Sequence, residues 1–367
     1  MKHNPKNERI KRQYFVFLEQ AKRQSVASVD AVAMAISRFE IYTRYKGFNA
    51  FHFEQAVGFK KHLARQNNQQ TGQPLSKATL NSTLRHLKAF FQWLSQQAGY
   101  KSRLNYTDME YFNLSEKEVR IATAKRIRPV PTIEQINHVL KTMPTKTVVQ
   151  RRDRALIAFT LLSGARDSAI ASMRLRHIDL SSDCVHQDAR EVKTKNSKTI
   201  TSYFFPVGDE IRQIVTAWLD ELKNEHLFGL DDPLFPKTAI QLNKQHSFEA
   251  SGIKKEPWAT ANPIRVIFKQ AFTSAGLDYF NPHSFRNTLA TLGEQICQTP
   301  EEFKAWSQNL GHNQVLTTFL SYGEVQPQKQ SEIFQKLKEP KTENEASSDE
   351  ALARVIVKAM KDNALIG

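Results

Sequence analysis

Two neighbouring runs, PHSFRNTLATLGEQI at 282–296 and TPEEFKAWSQNLGHNQVLTTFLSYGEV at 299–325, decide how the rest of the chain is read. In the first, Phe285, Leu289, Leu292 and Ile296 recur at helical spacing. His283 and Arg286, three apart, therefore leave one face of a helix and can meet one phosphate. In the second, Thr299, Pro300 and Glu302 spell a capping box with proline at the first helical position, and Gly311 is a left-handed terminator. His312 falls at a corner. A short helix through Val315 and Phe319 then delivers Tyr322, and Gly323 breaks the segment so that the phenol projects.

These residue types suit attack on a phosphodiester by a side-chain oxygen. Charge builds on the non-bridging oxygens during such a transfer, and a planar guanidinium matches them better than an ammonium point charge. Tyrosine conserves the bond energy in a covalent intermediate, while imidazoles titrating near neutrality move protons. Each fragment alone is common: His-x-x-Arg on a helix is usually a surface or core pair, Gly-His is ordinary capping, and Tyr-Gly is an ordinary turn. Only their joint occurrence carries weight.

Upstream of these runs, residues 262–275 (NPIRVIFKQAFTSA) read as a helix closed by Gly276. The stretch DDPLFPKTAIQLNKQ (231–245) is rich in turn residues and reads as a surface loop. Ile211, Ile214, Val215, Trp218 and Leu222 mark a helix after Pro206. Two β-like runs, DAREVKTK (188–195) and KTITSYFFPV (198–207), flank Asn196 and Ser197 as a hairpin would, with Lys193, Lys195 and Lys198 crowding its tip. Before them stand a short helix, DSAIASMRL, and a long one over 148–163 that ends at Gly164, with Arg166 just beyond. Thr132 and Gln135 cap an earlier helix.

The charged, proline-terminated stretch 113–131 reads as a linker. Before it lie helices at 8–23 (Phe15, Leu18), from about Ser28 (Val32, Ile36, Phe39) and at 51–65. The strongest is LSKATLNSTLRHLKAFFQWLSQQ (75–97), where Leu80, Leu84, Leu87, Phe91 and Leu94 form a core stripe opposite Lys77, Arg85 and Lys88. Beyond Lys338 a polar linker leads into ALARVIVKAMKDN, a one-sided apolar helix that needs a surface to cover it, either its own domain or a neighbouring protomer. The expected division is 1–112, a linker at 113–131, 132–338, and a tail at 339–367.

Fifty-two Lys and Arg against 37 Asp and Glu leave a net charge of +15 in 367 residues, an excess that draws a protein to a polyanion. Cys184 and Cys297 lie outside any C-x-x-C pattern, so neither a disulfide framework nor a zinc site is suggested, and a reducing compartment fits. The start, MKHNPKNERIKRQ, lacks a signal-peptide core, and no run is long enough for a bilayer; the expectation is an intracellular protein without membrane contact. No Gly-rich phosphate loop, H-E-x-x-H or carboxylate cluster is present, so neither metal nor cofactor is expected.

With these residues in order, LLSGARDSAIASMRLRHIDL, VKTKNSKTI, HSFR, LGH and SYGEV, the chain resembles the tyrosine recombinase, or phage integrase, family over Leu161–Val325. The N-terminal helices resemble that family's core-binding domain. The resemblance implies a mainly α (α+β) fold: an N-terminal helical (SAM-like) DNA-binding domain, and a C-terminal, mostly helical catalytic domain with a small antiparallel β-sheet, closing as a C-shaped clamp on DNA. It implies that Arg166 and Arg286 clamp the scissile phosphate, Tyr322 is the nucleophile, His283 helps deprotonate it, His312 stabilises the transition state, and a hairpin lysine protonates the leaving 5′ oxygen. V-x-x-K favours Lys195 as that lysine, whereas a Lys-Thr match favours Lys193. Lys193, Lys198, Lys77, Arg85 and Lys88 are the expected DNA contacts.

Two features depart from the family pattern: Ala169 occupies the place of a common acidic residue while Asp167 follows Arg166 directly, and ten residues separate His312 from Tyr322. The implied partner is double-stranded DNA with specific core sites, bound by a homotetramer on two sites, with DNA-bending accessory proteins as further candidates and a cytoplasmic, nucleoid-associated location. The implied activity, strand exchange through a 3′-phosphotyrosyl link, needs neither ATP nor metal. Competing expectations are a type IB topoisomerase-like enzyme and a DNA-binding architectural relative without cleavage.

Overall fold

The computed structural model describes residues 3–68, 71–124, 129–242 and 246–311. The chain forms two compact units, Met1–Lys125 and Arg126–Gly367. It is mainly α with two small antiparallel sheets.

The first unit is helical. Its elements are α1 (Pro5–Val16), α2 (Val26–Tyr42), α3 (Phe53–Ala64), α4 (Lys77–Leu94) and α5 (Glu116–Thr123). The stripe on α4 is core as its spacing requires: Leu80, Leu84, Leu87, Phe90, Phe91 and Leu94 are all buried. They pack with Phe39, Phe51, Phe59 and Phe112, and the Phe51 and Phe91 rings stack at 4.0 Å between centroids. Burial of each such ring stabilises by about 1.5–3 kcal/mol. Charge also enters this core. Glu40 is buried, and its carboxylate accepts from Asn7 Nδ2 at 3.0 Å and Lys11 Nζ at 2.7 Å, which ties α1 to α2 and satisfies the anion.

The expected single helix over 8–23 begins earlier and changes pitch, passing from α1 into a π-helical turn at Phe17–Ala21. The stretch 113–131 contains α5, started by a Ser115/Glu118 capping box and held to α4 by a Lys77–Glu118 ion pair at 3.0 Å.

The second unit is organised round α7 (Val148–Ser163), whose residues from Ala155 to Ser163 are buried on every side. Such a helix must be surrounded. Packed on it are α6 (Ile133–Thr142), α9 (Asp209–Asn224), α10 (Asn262–Ser274) and α11 (Pro282–Ile296). The unit also holds a short helix, α8 (Asp167–Ile170), and α12 (Pro300–Asn309), which packs on α11. The capping boxes expected at Thr132 and Thr299 are both formed.

One sheet has the order β1 (Ile178–Asp179), β2 (Cys184–Gln187), β3 (Ile200–Tyr203), all antiparallel. Here the expected hairpin is corrected. Residues 188–195 are not a strand: the partner of β3 is β2, and 188–199 is a long connection. Asp188 accepts from Arg190 N through its side chain and from Val192 N through its carbonyl, closing a turn that buries Val192. A second correction concerns the supposed loop at 231–245. Residues Lys237–Leu242 form β4, paired with β5 (Phe248–Lys254) in a two-stranded ribbon. Most of the ribbon is exposed, so its side chains carry no inside–outside alternation to announce it.

Candidate active site

Gly164 ends α7 in the left-handed region (φ +60°), where glycine alone is unstrained. It is also a point of close approach. A Cβ there would lie 2.9 Å from Phe205 Cε2, 3.2 Å from Leu289 Cδ1 and 3.3 Å from Leu310 Cδ2. The end of α7, the exit of β3, the middle of α11 and the end of α12 thus meet at one residue. We expect Gly164→Ala to destabilise the protein by about 2–4 kcal/mol, combining positive-φ strain with overpacking, read as a fall in Cm at unchanged m-value. Full native stability would remove the glycine from this account.

Arg286 projects from α11 into this junction and is 95% or more shielded from solvent, with 5% relative exposure. Its Nη1 donates to the Gly164 carbonyl and its Nη2 to the Leu310 carbonyl, so one guanidinium ties the C-terminal ends of α7 and α12 together. Each terminal nitrogen carries a second N–H. Arg166, two residues past Gly164, is half-buried. Its side chain has no hydrogen-bond or ion-pair partner among the described residues. Burial, then the Arg166 charge, push the Arg286 pKa down, and burial does the same to Arg166. The two guanidinium groups lie near enough to repel, as groups do that are arranged to receive an anion.

His283 stands one turn before Arg286 and is solvent-accessible. Shielding by its surroundings and then the charges of Arg286 and Arg166 hold its imidazole below 6.5, with Lys195 acting in the same direction and Asp167 opposing. Those same interactions bring His283, Arg286, Arg166, Asp167 and Lys195 into one neighbourhood. We expect NMR titration to show His283 protonating at lower pH than a free histidine. Arg166→Gln should raise that pKa, because removing a positive neighbour favours the imidazolium. An unchanged titration would separate Arg166 from the imidazole.

The lysine-bearing connection is braced at several points. Glu191 accepts from His177 Nε2 at 2.8 Å and pairs with Arg176 at 2.9 Å. Lys193 N donates to Ser172 Oγ, Ser168 Oγ donates to the Lys193 carbonyl, and Lys193 Nζ reaches the Ala259 carbonyl at 3.4 Å. Lys195 lies in a tight turn with Asn196 and Ser197, both at positive φ. Its side chain is exposed, and it is the lysine of this loop whose charge is felt by His283.

Asp167 turns away from Arg166: it accepts from Arg265 Nε at 2.9 Å and from Ser168 N at 2.8 Å. Arg265 is exposed on α10 and was not singled out by its sequence context. No local signal marks it, since its partner lies 98 positions away. Asn309, at the end of α12, exchanges two hydrogen bonds with the Tyr203 backbone, at 2.6 and 2.9 Å, which locks the approach to Gly311 against β3.

His312 and Tyr322 lie outside the described residues. In the first unit, Lys88 pairs with Glu110 at 2.7 Å, Lys77 pairs with Glu118, and Arg85 is exposed between them on α4. Lys198 is exposed near the tight turn.

The chain is similar in fold to a lambda integrase dimer bound to a COC′ core site (TM-score 0.57, 14% identity, covering 88% of this chain and 81% of that one). It is likewise similar to the Tn1549 transposon integrase in complex with transposon right end DNA (TM-score 0.55, 15% identity, 90% and 99%). In sequence, tyrosine recombinase XerC of Staphylococcus saprophyticus is 20% identical over 318 residues, 85% of this chain and 91% of the relative. XerC of Lactobacillus delbrueckii subsp. bulgaricus is 23% identical over 257 residues, 68% and 72%. Residues 130–329 match the model of the phage integrase family. The chain belongs to that family, the tyrosine recombinases, and so to the site-specific recombinases that exchange DNA strands.

Proposed function

We propose that this recombinase binds duplex DNA at specific core sites and cleaves it through Tyr322. The phenolate oxygen attacks the scissile phosphorus, the bond to the 5′ oxygen breaks, and the 3′ phosphate remains on the tyrosine. Arg166 and Arg286 hold the non-bridging oxygens as charge grows on them. His283, whose imidazole is held below its ordinary value first by burial and then by the two arginines, accepts the phenolic proton. His312 donates a hydrogen bond to the phosphate. Lys195 gives a proton to the departing 5′ oxygen, with Lys193 the alternative. Attack by a 5′ hydroxyl of the partner duplex reverses the chemistry and joins the exchanged strand, so neither ATP nor metal enters the balance.

The observation that carries this reading is the convergence of Arg166, Arg286, His283 and Lys195, four cationic or basic groups, on the junction where α7 and α12 end. A phosphodiester relieves their repulsion. A relative that only held DNA would draw its affinity from exposed lysines and arginines and would gain nothing from a guanidinium buried among backbone carbonyls.

In the same reading, Arg85 with Lys77 and Lys88 of the first unit, and Lys193 with Lys198 of the second, contact phosphates of the duplex. Four protomers act on two sites, DNA-bending proteins assist, and the enzyme works at the nucleoid. The division into a core-binding domain at 1–112 and a catalytic domain at 132–338 follows from the same assignment. The test is a nicked suicide duplex bearing the core site, incubated with protein in EDTA without nucleotide. A covalent protein–DNA band is expected; its absence in EDTA with recovery on adding magnesium would replace this chemistry with a metal-dependent one.

A further inference from the structure

We propose that Asp179, Cys184 and His186 form a binding site for a single zinc-class divalent cation on the three-stranded sheet. The site is separate from the arginine centre and shares no residue with it. Strand pairing creates it. Asp179 and Cys184 are directly opposed across β1 and β2, and His186 lies two residues beyond Cys184, so all three side chains stand on one face of the sheet. Their donor atoms all lie within 4.8 Å of one another.

The distances suit a tetrahedral ion. Cys184 Sγ and His186 Nε2 are 3.5 Å apart. With Zn–S near 2.3 Å and Zn–N near 2.0 Å at a tetrahedral angle, sulfur and nitrogen stand about 3.5 Å apart. Both flanking donors are held from behind. His186 Nδ1 lies 3.4 Å from Thr201 Oγ1 on β3; with Nδ1–H donating to that hydroxyl, the tautomer a metal ligand takes, the Nε2 lone pair is left for the ion beside the sulfur. Asp179 Oδ1 accepts from Ser181 N at 2.9 Å, Ser181 Oγ at 2.6 Å and Ser182 N at 3.2 Å, which fixes the carboxylate and leaves Oδ2 for the ion.

Thiolate, imidazole and carboxylate together select zinc or cobalt over magnesium or calcium, and their two negative charges balance the cation. Cys184 is buried while His186 is exposed, so the ion enters from the histidine side and a water completes the coordination. The other mixed cluster among the described residues, Glu221, Glu225 and His226, differs: both Glu221 oxygens accept from Arg151, at 2.7 and 2.8 Å, so that carboxylate is already spent.

The experiment is titration of the full-length, chelator-stripped protein with Co(II) followed by absorption spectroscopy. One equivalent should give the near-ultraviolet thiolate-to-cobalt charge-transfer band and the visible bands of a tetrahedral ion, and zinc should displace it. Cys184→Ser should abolish the charge-transfer band, whereas Cys297→Ser should keep it. His186→Ala, at an exposed position, should weaken binding at least about tenfold without altering the circular dichroism, and Asp179→Asn should do likewise. A titration without a charge-transfer band, an unchanged cobalt affinity in His186→Ala, or a band that follows Cys297 would overturn the site.

Discussion

Tyr322→Phe should remove the covalent protein–DNA band on a suicide duplex and lower strand cleavage by on the order of 10⁴-fold or more, the scale on which losing a nucleophile acts. Noncovalent binding of the same duplex, read by mobility shift, stays at the level of the unaltered protein, because one phenolic oxygen contributes little to a contact dominated by many phosphates. The tyrosine is the only residue of the SYGEV run with a phenol, and Ser321 beside it is the competing oxygen. A band that persists in Tyr322→Phe and disappears in Ser321→Ala would transfer the role to the serine. The segment that leads to Tyr322 leaves from Leu310, whose carbonyl Arg286 holds, and from Gly311, at φ +68°, where a Cβ would lie 2.8 Å from Ile200 Cδ1. Tyr322, the proposed nucleophile, follows Leu310 by twelve positions in the sequence.

Arg166→Ala and Arg286→Ala should each lower cleavage by roughly 10²–10³-fold, the usual loss when one donor to a developing oxyanion is removed. Their effects on folding should differ. Arg166 gives up no hydrogen bond to a described residue, and its removal relieves repulsion of Arg286, so the melting temperature should hold or rise slightly. Arg286→Ala leaves the Gly164 and Leu310 carbonyls without this donor in a buried junction, each at a cost of about 1–3 kcal/mol, and opens a cavity. Arg286→Lys keeps the charge but cannot span both carbonyls, so it should recover stability only in part and cleavage poorly. Equal stability losses in the two alanine variants would contradict the division of labour between a positioned buried arginine and an open one. Loss of duplex binding in step with cleavage would contradict the phosphate-clamp role for either.

These two experiments rest on features of different legibility. The helices that carry Arg286 and the approach to His312 announce themselves within a few residues: Thr299 to Glu302 for the cap, Gly164 and Gly311 for the ends, and an apolar stripe from Phe285 to Leu292. Such signals are local because a cap or a terminator satisfies backbone groups of its own turn. The family resemblance added roles for Arg166, His283 and Arg286, and the fold brings these into one neighbourhood. It could not choose between Lys193 and Lys195. The long connection resolved in the structure puts the Lys193 side chain on the Ala259 carbonyl and lets the Lys195 charge reach His283.

By itself the amino-acid order determined the helical class, the ends of the principal helices, the basic character, and the set of residues competent for phosphoryl transfer. Tertiary structure alone decided which strand pairs with β3, that 237–254 is a ribbon, that Asp167 holds Arg265, and that Arg286 binds two carbonyls 122 and 24 positions away. The physical reason is range. Helical periodicity and capping are satisfied by near neighbours, whereas strand register and buried polar pairing are settled by whichever distant group the packed core leaves within hydrogen-bond reach.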